Sequence, residues 1–283
     1  MKADRLKKIR LGLVGDNIAV SRAPDLHHAA ARLCGIDVVY ERLVPRDLGL
    51  TFDHVVARAK ANGLRGLNIT HPYKEQILKF ATIEDPAIEV IGACNTVLFD
   101  ERTIGLNTDY TGYIAAFKER FGDLSPGVVA LAGSGGAGKA IAFALAKLGA
   151  KSLRVFDIDA QKAHVLAKAL QKMQPAMSVR IAPTLQQACQ GADGLINCTP
   201  MGMVGYGGNA FAGIPLAGRK WVCDAVYTPL ETAFLKESKA AAVDILGGYE
   251  LFLYQGLHAF ELFTGRTVDA AALRQALAMS TTG

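Results

Sequence analysis

Short β-branched, apolar runs alternate with amphipathic stretches along the whole chain. The runs read as strands, and apolar positions recurring at helical spacing read as helices between them. The pattern predicts strands over Arg10–Gly15, Val38–Leu43, Arg65–Ile69 and Cys94–Phe99. Helices are expected over Pro24–Cys34, Phe52–Asn62 and Pro72–Phe80, with Pro24 and Pro72 in first turns, where a missing N–H is no loss. Asp109–Phe121 sets Tyr113, Ile114, Phe117 and Phe121 at helical spacing behind Thr108 or Asp109 as N-cap. Ser125-Pro126-Gly127 is a turn signal, and beyond it the alternation sharpens. Val128–Ala132, Leu153–Phe156, Leu195–Cys198, Trp221–Val226 and Val243–Leu246 read as strands. Gly136–Leu148, Ala160–Met173 and Glu231–Ala240 read as their helices, and Tyr249–Phe263 and Asp269–Met279 as two closing ones. Strand–helix alternation of this kind predicts an α/β fold with mostly parallel strands.

Composition narrows the class. A chain of 283 residues, 51% hydrophobic and 20% charged, has material for two modest domains with cores of their own. Lys and Arg exceed Asp and Glu by 31 to 26, but the excess is concentrated at Lys2, Arg5, Lys7, Lys8 and Arg10, which read as a solvated terminus. Without that segment the charge is near balance, so no nucleic-acid face is expected. No apolar stretch follows the basic residues, so no secretory signal is expected. The longest uncharged run, Gly194 to Gly218, holds seven Gly and two Pro and reads as a strand and a long loop rather than a membrane span. Cys34, Cys94, Cys189, Cys198 and Cys223 are odd in number with no CxxC pair, which fits reduced cytoplasmic thiols and no metal site.

The first motif with a mechanism follows the strand at Val128–Ala132. Gly133-Ser134-Gly135-Gly136-Ala137-Gly138 matches GxGxxG between a strand and an apolar helix. Gly133 permits a tight turn, Gly135 admits a pyrophosphate to the backbone, and Gly138 lets helix and strand pack closely. The helix N-terminus adds free N–H groups and partial positive charge. A P-loop is excluded because Ala140, not Ser or Thr, follows Lys139. The next strand runs into Asp157, at the distance where a carboxylate accepts both adenosine ribose hydroxyls and repels a 2′-phosphate. Ile158 stands where a basic residue would favour NADP, so NAD is the expected cofactor. The competing reading makes Asp157 the cap of the helix near Ala160.

Polar clusters flank element ends in the first half. They are Asn68-Ile-Thr-His-Pro-Tyr-Lys74, Gly92-Ala-Cys-Asn-Thr96 and Gly105-Leu-Asn-Thr-Asp109. A Lys and an Asp with Asn neighbours can transfer protons if they converge. Taken on spacing alone, a surface Lys and a helix-capping Asp remain equally open. His71 carries a weak substrate-contact reading, and His27 and His28 read as surface or hydrogen-bonded histidines.

The segments AVSRAP (19–24), NITHPYKE (68–75), GACNTV (92–97), GLNTDYTG (105–112), GSGGAGKA (133–140), NCTPMGM (197–203), CDAVYTP (223–229) and GYELFLYQG (248–256) together resemble the shikimate dehydrogenase family over nearly the whole chain. Within it, NITHPYKE, Asp157 and the TPMGM loop are most similar to the NAD-using quinate/shikimate dehydrogenases. The resemblance implies an α/β protein of two domains. An N-terminal substrate-binding and catalytic domain, 1–107 with 246–283, takes back the C-terminal helices. A Rossmann doubly wound parallel-sheet NAD domain spans 108–245.

The implied reaction is reversible hydride transfer between NAD and the C3 carbinol of shikimate or quinate, a step of the shikimate pathway and aromatic amino acid biosynthesis. Lys74 and Asp109 fall on the family's catalytic pair. Asn68, Thr70 and Asn95 fit hydroxyl recognition, and Ser21, Tyr227 and Gln255 fall on its carboxylate and hydroxyl contacts. Thr199, Val226 and Gly248 fall near the nicotinamide half of the cofactor. The expected partner is a small hydroxy-carboxylic acid, not nucleic acid or membrane, with a homodimer left open. One departure bears on the substrate: the family's Ser-x-Ser or Ser-x-Thr carboxylate clamp reads Ser21-Arg-Ala23 here. Three other functions stand beside this one: a dehydrogenase of a modified analogue such as an aminoshikimate, a non-catalytic NAD sensor, and a Ser–Lys hydrolase using Ser21 and Lys74. A sensor needs no proton shuttle, and a hydrolase needs no dinucleotide turn.

Overall fold

The computed structural model describes residues 8–279, and Lys2, Arg5 and Lys7 of the basic start lie outside them. Lys8 and Arg10 are paired, with Asp37 at 3.5 Å and Glu41 at 2.7 Å. The chain forms two compact units. One runs to Thr108 and resumes at Leu253; the other spans Asp109–Phe252.

The first unit opens β1 (Ile9–Val14), α1 (Ala23–Leu33), β2 (Val38–Leu43), α2 (Phe52–Ala61) and β3 (Gly66–Ile69). Pro24 sits in the first turn of α1, as its fixed φ and missing N–H favour. A 3-10 turn at Gln76–Phe80 leads to β4 (Thr82–Ile83), α3 (Pro86–Ile91), β5 (Thr96–Phe99) and β6 (Thr103–Leu106). The sheet order is β2-β1-β3-β5-β6-β4. β1, β2 and β3 are parallel, while β5 is antiparallel to both β3 and β6. Parallel pairing therefore does not hold throughout this sheet. Only Asp100-Glu101-Arg102 joins β5 to β6, and so short a link can only reverse the chain.

The helix predicted over Pro72–Phe80 does not form as such. Tyr73 N–H closes a tight turn on the Thr70 carbonyl (2.9 Å), and the peptide before Pro72 is cis. The Tyr73 ring stacks on Phe52 (4.4 Å between centroids), and its hydroxyl donates to Asp16 (2.7 Å). These long-range ties hold the segment as a turn, and helical structure starts only at Gln76. Val14, Phe52, Val55, Ile69, Ile77 and Val97 close the core beneath it.

The second unit begins with α4 (Thr108–Phe121), whose first residue belongs to the first. Then come β7 (Val128–Ala132), α5 (Gly136–Lys147), β8 (Ser152–Phe156), α6 (Ala160–Met173), β9 (Ser178–Ile181) and α7 (Leu185–Cys189). β10 (Gly194–Asn197), β11 (Trp221–Asp224), α8 (Ala233–Ala240) and β12 (Asp244–Leu246) complete the sheet. All its pairs are parallel, in the order β12-β11-β10-β7-β8-β9. That is the doubly wound dinucleotide-binding order, with the topological switch between β7 and β10. The buried residues of α5 are Gly138 and four alanines (Ala140, Ala142, Ala144 and Ala146) beside Ile141, Phe143 and Leu145. Trp221 lies over Gly194, where a Cβ would occupy the indole ring, and meets Phe117 edge-on at 5.2 Å. α9 (Gly248–Thr264) runs from the second unit into the first, and α10 (Ala270–Met279) closes on α1. No helix among the described residues is long and apolar enough to cross a membrane.

Candidate active site

In the first unit the C-terminal ends of β1, β3 and β6 and the start of β5 share one sheet edge, which follows from the pairing directions. Such edges are where open α/β sheets bind ligands. Ser21 follows β1, Thr70 and Lys74 follow β3, Asn95 precedes β5, and Thr108 follows β6. Asn95 ties the edge together. Its Oδ1 accepts from Thr108 N–H (2.7 Å) and its Nδ2 meets Thr108 Oγ1 (3.0 Å). Asn107 donates to the Ala93 carbonyl (2.8 Å), and Cys94 N–H donates to the Lys74 carbonyl (2.8 Å). The 93–95 segment thus grips the backbone of Lys74 on one side and the residues leading to Asp109 on the other. Lys74 is half-buried, and Asp109 is 7% exposed.

Asn68 lies deeper. Its Oδ1 accepts from Tyr40 Oη (2.8 Å), and its Nδ2 donates to Thr96 Oγ1 (3.1 Å). Ser21 Oγ accepts the N–H of Ala23 (3.3 Å), and Arg42 donates to the Ser21 carbonyl (2.8 Å). Gln255 is half-buried on α9. Cys94 is buried, which pushes its thiol up to about 12 and leaves it a packing residue.

His27 departs from expectation. It is buried, stacked on Tyr40 (4.5 Å), and its Nδ1 has no partner, so it is neither a surface nor a fully bonded histidine. Burial lowers its pKa from 6.5 to about 3; a hydrogen bond with Asn68 opposes the shift and His28 adds to it. The unfolded chain therefore takes up a proton near pH 6.5 that the folded chain refuses until about pH 3. The stabilisation is complete above pH 6.5 and falls by up to about 1.4 kcal/mol per pH unit as pH drops through that window. Melting temperature measured against pH should fall less steeply in His27→Leu than in the wild type. Parallel profiles would show that His27 is not the coupled group.

In the second unit the glycine turn follows β7. Gly133 has φ +93°, and a Cβ there would meet the Cys198 carbonyl group at 2.8 Å. A Cβ on Gly138 would strike the Gly133 carbonyl, so only glycine lets the helix start here. Open space lies beside Gly135. Ser134 is buried and donates from both N–H (2.6 Å) and Oγ (2.7 Å) to Asp157 Oδ2, while Asp159 N–H donates to Oδ1 (2.9 Å). Partial burial pushes the Asp157 carboxyl up, but these donors outweigh it and hold it below the usual range. The cap of α6 is Asp159, which removes the helix-capping reading of Asp157. A glycine-rich turn open beside Gly135, a helix N-terminus and an ionised carboxylate at the next strand end fit a dinucleotide.

Thr199 follows β10, and Val226 and Tyr227 follow β11. Tyr227 stacks on Phe252 at 5.0 Å. A Cβ on Gly248 would collide with the Val226 carbonyl, so the start of α9 rests on that loop. The sequence pattern gave no site role to Tyr40, Thr96 or Thr108, which build the first network, nor to the buried Asp224. The signal for Asp224 was a lone carboxylate closing the apolar run Trp-Val-Cys-Asp.

A model of the shikimate dehydrogenase substrate binding domain matches residues 13–97, and one of the shikimate 5'-dehydrogenase C-terminal domain matches 248–278. The quinate/shikimate dehydrogenase (NAD(+)) of Corynebacterium efficiens is 37% identical, over 94% of this chain and 96% of that protein. A shikimate dehydrogenase (NADP(+)) of Pseudarthrobacter chlorophenolicus is 36% identical, over 96% and 95% respectively. Among solved structures, quinate dehydrogenase from Corynebacterium glutamicum in complex with NAD superposes with a TM-score of 0.88 at 33% identity, covering 96% of this chain and 99% of that one. With this identity over almost its full length, the chain belongs to the shikimate dehydrogenase family.

Proposed function

We propose that this chain is an NAD-dependent dehydrogenase that moves hydride reversibly between the C3 carbinol of shikimate or quinate and the nicotinamide. The observation that carries the reading is the 93–95 segment, which holds the backbone of Lys74 and the approach to Asp109 on one sheet edge. The unit of β1–β6 with α10 is assigned to substrate, with domain limits of 1–107 and 246–283. The parallel sheet, 108–245, is assigned to the dinucleotide.

When bound, the nicotinamide accepts or returns the hydride. Lys74 takes the C3 hydroxyl proton during oxidation and gives it back in reduction. Asp109 orients Lys74 and bonds the neighbouring hydroxyl. Asn68, Thr70 and Asn95 recognise hydroxyls, and Asn68 also holds Thr96 and the Asn95 region from behind. Ser21, Tyr227 and Gln255 contact the carboxylate and remaining hydroxyls. Gly133 to Gly138 receive the pyrophosphate, Asp157 the adenosine ribose, and Thr199, Val226 and Gly248 the nicotinamide. The enzyme is placed in the cytoplasm and acts on a small hydroxy-carboxylic acid, without nucleic acid or membrane.

The test is a panel of shikimate, quinate and an aminoshikimate, each assayed with NAD and NADP at the reduced-nicotinamide absorbance. Asp157 repels a 2′-phosphate and bonds free ribose hydroxyls, so NAD should be favoured in kcat/KM by about tenfold or more. Asp157→Ala should narrow that ratio. Equal efficiency with NADP in the wild type would overturn the cofactor assignment, and turnover of no compound in the panel would overturn the reaction.

A further inference from the structure

Three features proposed to meet the nicotinamide converge on one buried carboxylate. Asp224, the last residue of β11, is wholly buried. Asn197 Nδ2 (2.9 Å) and Val226 N–H (3.0 Å) both donate to its Oδ1. Its Oδ2 accepts from Thr232 Oγ1 (2.6 Å), the cap of α8. The Thr232 oxygen also takes the Leu235 N–H, so its own hydrogen is free to point at Asp224. Burial raises the pKa of this carboxyl above its ordinary value, and the Thr232, Val226 and Asn197 donors oppose the rise. Each of these contacts is a donor, which is the arrangement an ionised carboxylate requires when it has no water around it.

Asn197 carries the link to the next loop. Its Oδ1 accepts from the N–H (3.0 Å) and Oγ1 (2.7 Å) of Thr199, and its Nδ2 reaches the Met201 carbonyl (3.0 Å) as well as Asp224. Val226 is tied directly, and its carbonyl forms the seat on which Gly248 lies. We infer that Asp224 is the positioning residue of the nicotinamide end of the cofactor site, fixing the loops of Thr199 and Val226 and, through Val226, the start of α9 at Gly248. It acts through these residues and does not itself meet the cofactor. The inference rests on the NAD reading above.

The test titrates wild type, Asp224→Ala, Asp224→Asn and Asn197→Ala with NADH by the fluorescence of the reduced nicotinamide. Steady-state runs then vary NAD and shikimate separately. Asp224→Ala frees both loops and should weaken NADH binding and raise KM for NAD by about tenfold or more, leaving KM for shikimate within about twofold. Asp224→Asn keeps one oxygen for Asn197 and Val226 and can turn its amide toward the Thr232 oxygen. It should recover most of the affinity, which a general loss of packing would not allow. A folded Asp224→Ala that binds NADH as the wild type does would overturn the inference. If that variant fails to fold, Asn197→Ala decides, since it cuts Thr199 from Asp224 but leaves the Val226 and Thr232 bonds in place; unchanged NADH binding there overturns the inference equally. Failure of the wild type itself to bind NADH would instead strike the cofactor reading, and this inference with it.

Discussion

Lys74→Ala is expected to lower kcat by roughly 10²–10⁴-fold, the usual worth of a positioned proton-transfer group, with NADH affinity little changed. The reason lies in where each role is carried. The Lys74 side chain leaves a half-buried turn after β3, whereas the proposed cofactor contacts follow β7, β8, β10, β11 and β12. Its backbone is held by the Cys94 N–H, so truncating the side chain leaves that hydrogen bond in place. Lys74→Arg should not restore turnover, because a guanidinium stays charged and cannot accept the hydroxyl proton near neutral pH. Asp109→Ala should lower kcat as well and raise KM for substrate, since Asp109 is assigned a substrate hydroxyl. Wild-type turnover in Lys74→Ala would remove it from the mechanism and would require another group to carry the proton.

The second unit was the more legible in sequence, and the reason is physical. Its central strands β7, β10 and β11 are buried in a parallel sheet and read as apolar runs, and its glycines answer local steric demands at Gly133 and Gly138, whereas the half-exposed edge strand β9 carried no such signal. Asp157 was visible because its distance from the turn is set by one strand and one helix. The first unit hides its organisation in long-range contacts. β4 is two residues long and carries no periodic signal. Pro72 looked like a helix start because the Tyr73 bond to Asp16, from far along the chain, cannot be seen locally. Asn68 and Asn95 were recognisable as polar residues at strand ends. That Asn68 would face Tyr40 and Thr96, and Asn95 Thr108, depends on strands brought together only by the fold. Asp224 is the same case in the second unit: its partners come from three separate segments, so sequence shows a carboxylate and conceals the junction.

Ala23→Ser is expected to lower KM for shikimate and quinate by about 10–150-fold with kcat nearly constant, the worth of one added hydrogen bond to a charged group. In the resembling family two hydroxyls hold one carboxylate, and here only Ser21 remains. Ser21 is held firmly enough to receive an anion. Its N–H donates to the Ile18 carbonyl (3.0 Å), and Arg42 holds its own carbonyl. The Ser21 hydroxyl accepts from Ala23 N–H, so its hydrogen remains to be donated to an anion. Ala23 is the first residue of α1, and the preceding Arg22 supplies no side-chain cap, so a serine there costs the helix little. The gain requires that the natural substrate presents its carboxylate to this corner. A substrate that is bulkier or uncharged at that end reverses the sign. Ala23 then makes room, and Ala23→Ser should raise KM for the true substrate while improving shikimate. The same panel of compounds therefore separates the two. An unchanged KM for every compound would mean that neither residue touches substrate, and the assignment of Ser21 would fall with that of Ala23.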